Sequence, residues 1–439
     1  MLVSFDLHFP REIRSFADVH VTKARWSTYR EVGGWGKRYK DEPHEAGGSR
    51  QRLVALRNVC WSEAGRELLY FAHPNSLEKT LFSDQPGRNE HVSCLVDLHP
   101  QSQAYDDELE CLSVNVVDGP TPRNAIWIDS KVATLQSMRQ SDENFGHFLF
   151  DQMLHSFLLQ WSWFGGASDD NQIAYVQVMP FKWVDTITPV FYDRQPLDLS
   201  ATGNNLTCFD LVLAGAGAVA FNEFRTLRVN ALSEFRNMAY RRLSIHDDPR
   251  QEHLILFYIK ESDSSRARSI ENGDELIKAL DTELRRRSFL FRGVPTRMIT
   301  GKIWEQGFED ELKILSRATV LITPPGGVSA SAIFLRDPSA MILLDWWCTP
   351  ENGVGQSCRF AKEANVWSKF PNRHVQYYSL DDDELTGTQG NKWSATGVYN
   401  LSAAKFVRAV LHSLDMVHDR IFERGLDPPL PSLTWLQQE

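Results

Sequence analysis

The chain alternates short, nearly continuous apolar runs with longer stretches in which apolar residues recur every three or four positions. From residue 253 the alternation is regular. HLILFYIK predicts a strand, NGDELIKALDTELRRR a helix, SFLFRGV a strand and FEDELKILSRA a helix; TVLIT is a further strand, PPGGVSASAIF a turn and small-residue helix, and MILLDWW a strand. Strands this apolar belong in a sheet covered on both faces, and strand–helix alternation yields a parallel, doubly wound sheet.

The preceding half reads as a second such unit. LVAL near 53, ELLYFAH near 67, HVSCLVDL near 91 and AIWID near 125 have strand length and turn-forming neighbours. A helix over DENFGHFLFDQMLHSFLLQW (142–161) follows, then AYVQVMP, CFDLVLAG and a helix from about Glu223 to Leu243. The polar stretch SIHDDPRQEH (244–253), carrying Pro249, reads as the linker. The expected organisation is an extension over 1–50, a Rossmann-like α/β unit over 51–246, a second over 247–400, and a C-terminal helix and tail over 401–439 that packs on or bridges them. In that last helix Phe406, Val410, Leu414, Val417 and Ile421 share one face. A length of 439 residues fits two domains.

Composition adds limits. The balance is 42% hydrophobic and 24% charged with a formal charge of −10, so no general attraction to nucleic acid or anionic lipid is expected. A bound phosphate would need a local cationic cluster. No apolar run of about 18 residues occurs, so no membrane span is expected. The six cysteines are scattered without a C-x-x-C pair, which points to a reduced compartment.

Three segments carry candidate chemistry. In the 142–161 helix, His147, Asp151 and His155 recur every four residues and would stack along one stripe. His147 and Asp151 could act as a general base and its orienter, all three could hold a metal, or the stripe could simply face water or the core. In KESDSSRARSIENGDEL (260–276), Lys260, Arg266 and Arg268 bring cations to a helix start suited to an anion; a solvated basic loop fits the same residues. In TPPGGVSASAIF (323–334), Gly326 and Gly327 permit close backbone approach, while Ser329 and Ser331 could donate to phosphate oxygens. Asp345, ending MILLD, is placed to accept from a ribose hydroxyl. His374, Trp346 and Trp347 could line an acceptor site or serve as packing residues, and Asp381 to Asp383 read as a solvated turn or helix cap rather than a metal motif.

The order of these parts resembles glycosyltransferase family 61: Asn144-Phe-Gly-His147-Phe-Leu-Phe-Asp151, Tyr258-Ile-Lys260 through Leu276, Phe308 through Ala318, Pro324-Pro325-Gly326-Gly327 through Phe334, and Leu343-Leu-Asp345. The similarity spans roughly 140–350. It implies a GT-B fold of two Rossmann-like domains facing a cleft, and inverting, metal-independent transfer of a sugar from a nucleotide-sugar, a UDP-sugar of the xylose type, to a hydroxyl of a glycan or glycoprotein acceptor. It further implies that Asp151 and His147 are catalytic and that Lys260, Arg266, Arg268, Pro325, Gly326, Gly327, Ser329 and Asp345 bind the donor. Pro325 stands where the family usually has His, Val328 where it has Gly, Lys260 where it has Arg, and Asp345 where Glu is common. The alternative is a catalytically inert nucleotide- or carbohydrate-binding protein of the same fold. A soluble intracellular location is expected, or the Golgi lumen if an anchor has been removed.

Overall fold

The computed structural model describes residues 28–32, 53–72, 113–136, 144–214, 229–259, 269–301, 307–345 and 372–435, with internal gaps and isolated positions between them. The protein is α/β, built on two large sheets.

The first sheet contains β1 (Thr28–Val32), β2 (Leu53–Ser62), β3 (Glu67–Ala72), β4 (Ser113–Asp118), β5 (Ile126–Trp127), β6 (Val132–Gln136), β7 (Asn171–Tyr175), β8 (Leu197–Asp198) and β9 (Thr207–Ala214). Its order is β4-β3-β2-β9-β6-β7-β8, with β1 on β2 and β5 on β9. It is mixed rather than uniformly parallel. β2 runs antiparallel to β1, β3 and β9; a tight turn, with Arg66 at φ 48°, returns the chain directly from β2 to β3. The pairings of β6 with β7 and β9, and of β7 with β8, are parallel. β1 lies within 1–50, so that stretch is not purely an extension. A disulfide, Cys60–Cys208, joins directly paired residues of β2 and β9, which departs from the expectation of scattered reduced thiols.

The second sheet contains β10 (His253–Tyr258), β12 (Leu290–Phe291), β13 (Val294–Gly301), β14 (Val320–Thr323), β15 (Ser339–Asp345), β16 (Arg373–Ser379) and β19 (Leu433–Trp435). Their order is β12-β13-β10-β14-β15-β16-β19, parallel apart from the β12–β13 hairpin. A small third sheet pairs β11 (Ser269–Ile270), β18 (Thr396–Tyr399) and β17 (Leu385–Gln389). SFLFRGV contributes the two-residue β12 and the first residue of β13, and the full strand after the helix is VPTRMITG.

Regular helices among the described residues are α1 (Lys182–Phe191), α2 (Val229–Arg242), α3 (Gly273–Arg286), α4 (Phe308–Arg317) and α5 (Ala403–Phe422). The 145–164 helix is described with the site. α3 and α5 cover one face of the second sheet, where Leu276, Leu280, Phe406, Val410 and Leu414 are buried together. Among the described residues α5 packs on this sheet and does not bridge to the first. The opposite face shares one core with helices of the first sheet. Phe191 stacks on Phe235 at 4.3 Å, Phe308 meets Phe334 edge-on at 5.7 Å, and Phe145 reaches Phe308 at 6.1 Å. Leu154, Phe157, Phe235, Leu256, Leu321 and Phe334 all belong to that one buried cluster. No helix among the described residues is long and apolar enough to cross a membrane.

Candidate functional site

In both sheets the connections reverse direction at a definite place. From β10 the chain passes through α3 to β13 on one side, then through α4 to β14 on the other. From β6 it passes through the 145–164 helix to β7 on one side, and later returns as β9 on the other. Crevices at the carboxyl ends of strands flanking such a switch are the usual ligand sites of open α/β sheets. The 324–327 turn leaves the carboxyl end of β14, and the 145–164 helix begins beyond the carboxyl end of β6.

These two segments touch. Asn144 sits at the helix N-cap with extended backbone, and its Oδ1 accepts from the Gly146 N–H at 2.9 Å, satisfying one of the otherwise orphan donors of the first turn. A Cβ on Gly146 would stand 2.7 Å from Gly327 Cα, and a Cβ on Gly327 would stand 2.3 Å from Asn144 Oδ1. Both glycines are therefore required for the contact. Gly326 has φ +109°, a conformation that glycine alone adopts readily, so the two turn glycines serve different needs.

The helix itself departs from the expected regular α-helix. An α-turn, Phe145–His147, passes into a π-helix, Phe148–Leu154, and then into an α-helix, His155–Phe164. π segments frequently occur at functional sites. Gln136 Nε2, from the end of β6, donates to Gln152 O at 2.9 Å within it. Phe148, Leu149, Phe150, Met153 and Leu154 are fully buried, which anchors the segment in the shared core. His147 is exposed while His155 is buried, so the stripe of three does not form a common surface, and the metal alternative loses its geometry. Asp151 lies in the middle of the π-helix; its side chain, like that of Asp345, is outside the described residues. Lys260, Arg266 and Arg268 are also outside them, in the connection that leaves β10 at the switch point after Ile259 and rejoins the described chain at Ser269.

The turn is braced from within. Ser329 is buried and its Oγ donates to Gly326 O at 2.7 Å; Ser331 is buried and its Oγ donates to Val328 O at 2.8 Å. This corrects the expectation that these hydroxyls are directed to a phosphate. The segment that follows is a six-residue 3₁₀ helix, Ser329–Phe334, rather than an α-helix, so no helix macrodipole adds to the turn. Pro325 is buried, and Asp345 closes β15 one strand away from the turn.

A buried ionic cluster fixes the far end of this segment. Arg373, wholly buried on β16, donates to Ala332 O at 2.8 Å and Leu335 O at 2.6 Å, pairs with Asp337 at 3.2 Å and lies 4.0 Å over the Phe370 ring. Arg236, from α2, donates to Leu335 O at 2.7 Å and to Asp337 at 2.9 Å, and the Tyr240 hydroxyl donates to Phe334 O. Burial pushes the Arg373 guanidinium down to about 10, with Asp337 opposing. The cluster satisfies the carbonyls at the end of the 3₁₀ helix and ties elements of both sheets to it. At the carboxyl end of β10, the Tyr258 hydroxyl donates to the buried Glu311 carboxylate at 2.5 Å; burial and that carboxylate raise the phenol well above its usual range.

Other singled-out residues have structural roles. His374 is fully buried in β16 and so does not line an open acceptor site; Trp346 and Trp347 lie outside the described residues. Glu384 is buried and accepts from the Tyr378 hydroxyl at 2.6 Å and Ser402 N at 2.7 Å. Lys405 bridges it to Asp381 at 3.1 and 2.8 Å, so this acidic turn caps α5. Sequence reasoning missed Arg236, Arg373 and Asp337, which carry no local motif. It underused Asn144, whose place before an apolar run is an N-cap signal. No family model and no curated protein matches the chain.

Proposed function

We propose that the protein is an inverting glycosyltransferase of GT-B-like architecture, taking a UDP-sugar as donor and a glycan hydroxyl as acceptor. The observation that supports this reading best is the meeting of the Asn144–His147 helix start with the Gly326–Gly327 turn, each leaving the carboxyl end of a strand at a switch point. A donor would span this junction, and a nucleoside diphosphate is the ligand that the cations of the 260–268 connection suit.

In the proposed reaction the Asp151 carboxylate, oriented with the exposed His147, takes the proton of the acceptor hydroxyl as its oxygen attacks the anomeric carbon. The bond from that carbon to the diphosphate oxygen breaks on the opposite face, which inverts the centre. Lys260, Arg266, Arg268 and the 324–327 backbone stabilise the charge that develops on the leaving diphosphate. Asp345 receives a ribose hydroxyl. With the charge met by side chains, activity is expected to survive chelation.

An inert binding protein of the same fold is favoured by one feature: the glycine pair and both serines are already engaged within the protein, leaving the turn fewer free donors. Transfer and hydrolysis assays with a panel of UDP- and GDP-sugars separate the two. Turnover that falls about 10² to 10⁴-fold in Asp151→Asn, with donor affinity kept, supports the transferase. Saturable donor binding without any product supports the binder.

A further inference from the structure

The linker does more than join the sheets. Residues Leu243 to His246 and Asp248 to Glu252, with Pro295 at the start of β13, the end of α4 and Arg336, line a cleft of about 660 Å³. This lies at the amino edge of the second sheet, away from the 324–327 turn, and has the volume of a small-molecule site. Its lining carries Arg250, Arg336, Lys313 and Arg317 against Asp248 and Glu252. Glu252 is already committed to Arg297 and Arg317, each at 2.9 Å.

Arg250 is the unusual member. Its Nη2 donates to Arg336 O at 2.6 Å and its Nη1 to Pro338 O, while its buried Nε–H finds no acceptor among the described residues. No carboxylate among them stands within ion-pair distance of it. Burial first, then repulsion by the Arg336 guanidinium, pushes Arg250 down to about 10, against weaker attraction from Tyr240, Asp337 and Asp247. Buried charges are ordinarily paired directly, whereas the carboxylates that attract Arg250 act from beyond ion-pair distance.

We propose that this cleft binds a small polyanion of the phosphate type, with Arg250 as its inner cation, Arg336 joining it by exchanging its pair with the exposed Asp247, and Lys313 closing over it. Guanidinium forks match phosphate oxygens in pairs, and among the described residues Lys313 pairs only with the exposed Asp310 at 3.0 Å, which it can exchange. An occupant would bind the linker to α4 and to the entrance of β15, so the site would stiffen the connection between the two sheets.

Titration calorimetry of the full chain with inorganic pyrophosphate tests this. A saturable site is expected, distinct from any at the 324–327 turn, that weakens about tenfold or more in Arg250→Met, the range for a lost charge-assisted hydrogen bond, and about fivefold in Lys313→Ala. Lys313 is half exposed, so its variant stays folded if Arg250→Met does not. Absence of saturable heat up to about 10 mM, or unchanged affinity in Lys313→Ala, would overturn the proposal; the latter result would assign pyrophosphate to another part of the protein.

Discussion

Replacing Gly327 with Ala probes the junction on which the candidate site depends. The added Cβ would meet Asn144 Oδ1 at 2.3 Å, far inside contact distance, so either the turn retreats or the Asn144 amide swings away from Gly146 N. Retreat of the turn is overpacking and costs about 1–3 kcal/mol. Loss of the cap costs about 1 kcal/mol. A destabilisation of about 2–4 kcal/mol in urea unfolding is therefore expected when both occur. Asn144→Ala alone loses only the cap, and in that background the Gly327→Ala methyl no longer meets the amide. A double-mutant cycle should accordingly give a coupling of about 2–4 kcal/mol, with the double variant more stable than the sum of the singles predicts. Additivity within about 0.5 kcal/mol would show that the helix start and the turn are not in contact in solution, and the site as described would not exist.

Two further predictions follow from buried charge. His253 lies against His418, Nε2 to Nδ1 at 2.9 Å, in an aromatic pocket, and burial first, then His418 and Arg250, depress it from 6.5 to about 3. The unfolded chain therefore binds the proton first, so this contribution is complete above about pH 6.5 and is lost as pH falls toward 3. By pH 5 about 2 kcal/mol should be gone, read as the pH slope of the urea midpoint; an equal slope in His253→Phe would refute the assignment. Arg373→Met leaves Asp337 with Arg236 alone and strips one of the two donors from each of Ala332 O and Leu335 O, and should cost about 3–5 kcal/mol; a loss below about 1 kcal/mol would contradict the bracing role.

What was legible in the chain follows from where the apolar surface goes. β10 is buried at every position and α3 and α4 each bury one stripe, so periodicity located them within a few residues. β13 and β16 escaped notice for opposite reasons. VPTRMITG is largely solvent-facing, flanked only by the two-residue β12 on its outer side, and RHVQYYS buries Arg373, His374 and Gln376, residues whose polarity argues against a core strand until their partners are known. The π-helix has no compositional mark, because the apolar pattern over 148–154 suits either helical period. The pairing of Cys60 with Cys208 depends on β2 and β9 being neighbours, which spacing cannot tell. The helix start and glycine turn were each visible as motifs, but their contact across roughly 180 residues was not. The cleft beneath the linker is assembled from four separated segments and leaves no trace in any one of them.

The most direct test of the proposed transferase is a crystal structure of the protein soaked with UDP. The account predicts the diphosphate at the carboxyl edge between β10 and β14, within hydrogen-bonding distance of the 324–327 backbone and the 260–268 cations, with His147 and Asp151 facing its terminal phosphate. UDP bound elsewhere, or a junction left unchanged at saturating UDP, would contradict it.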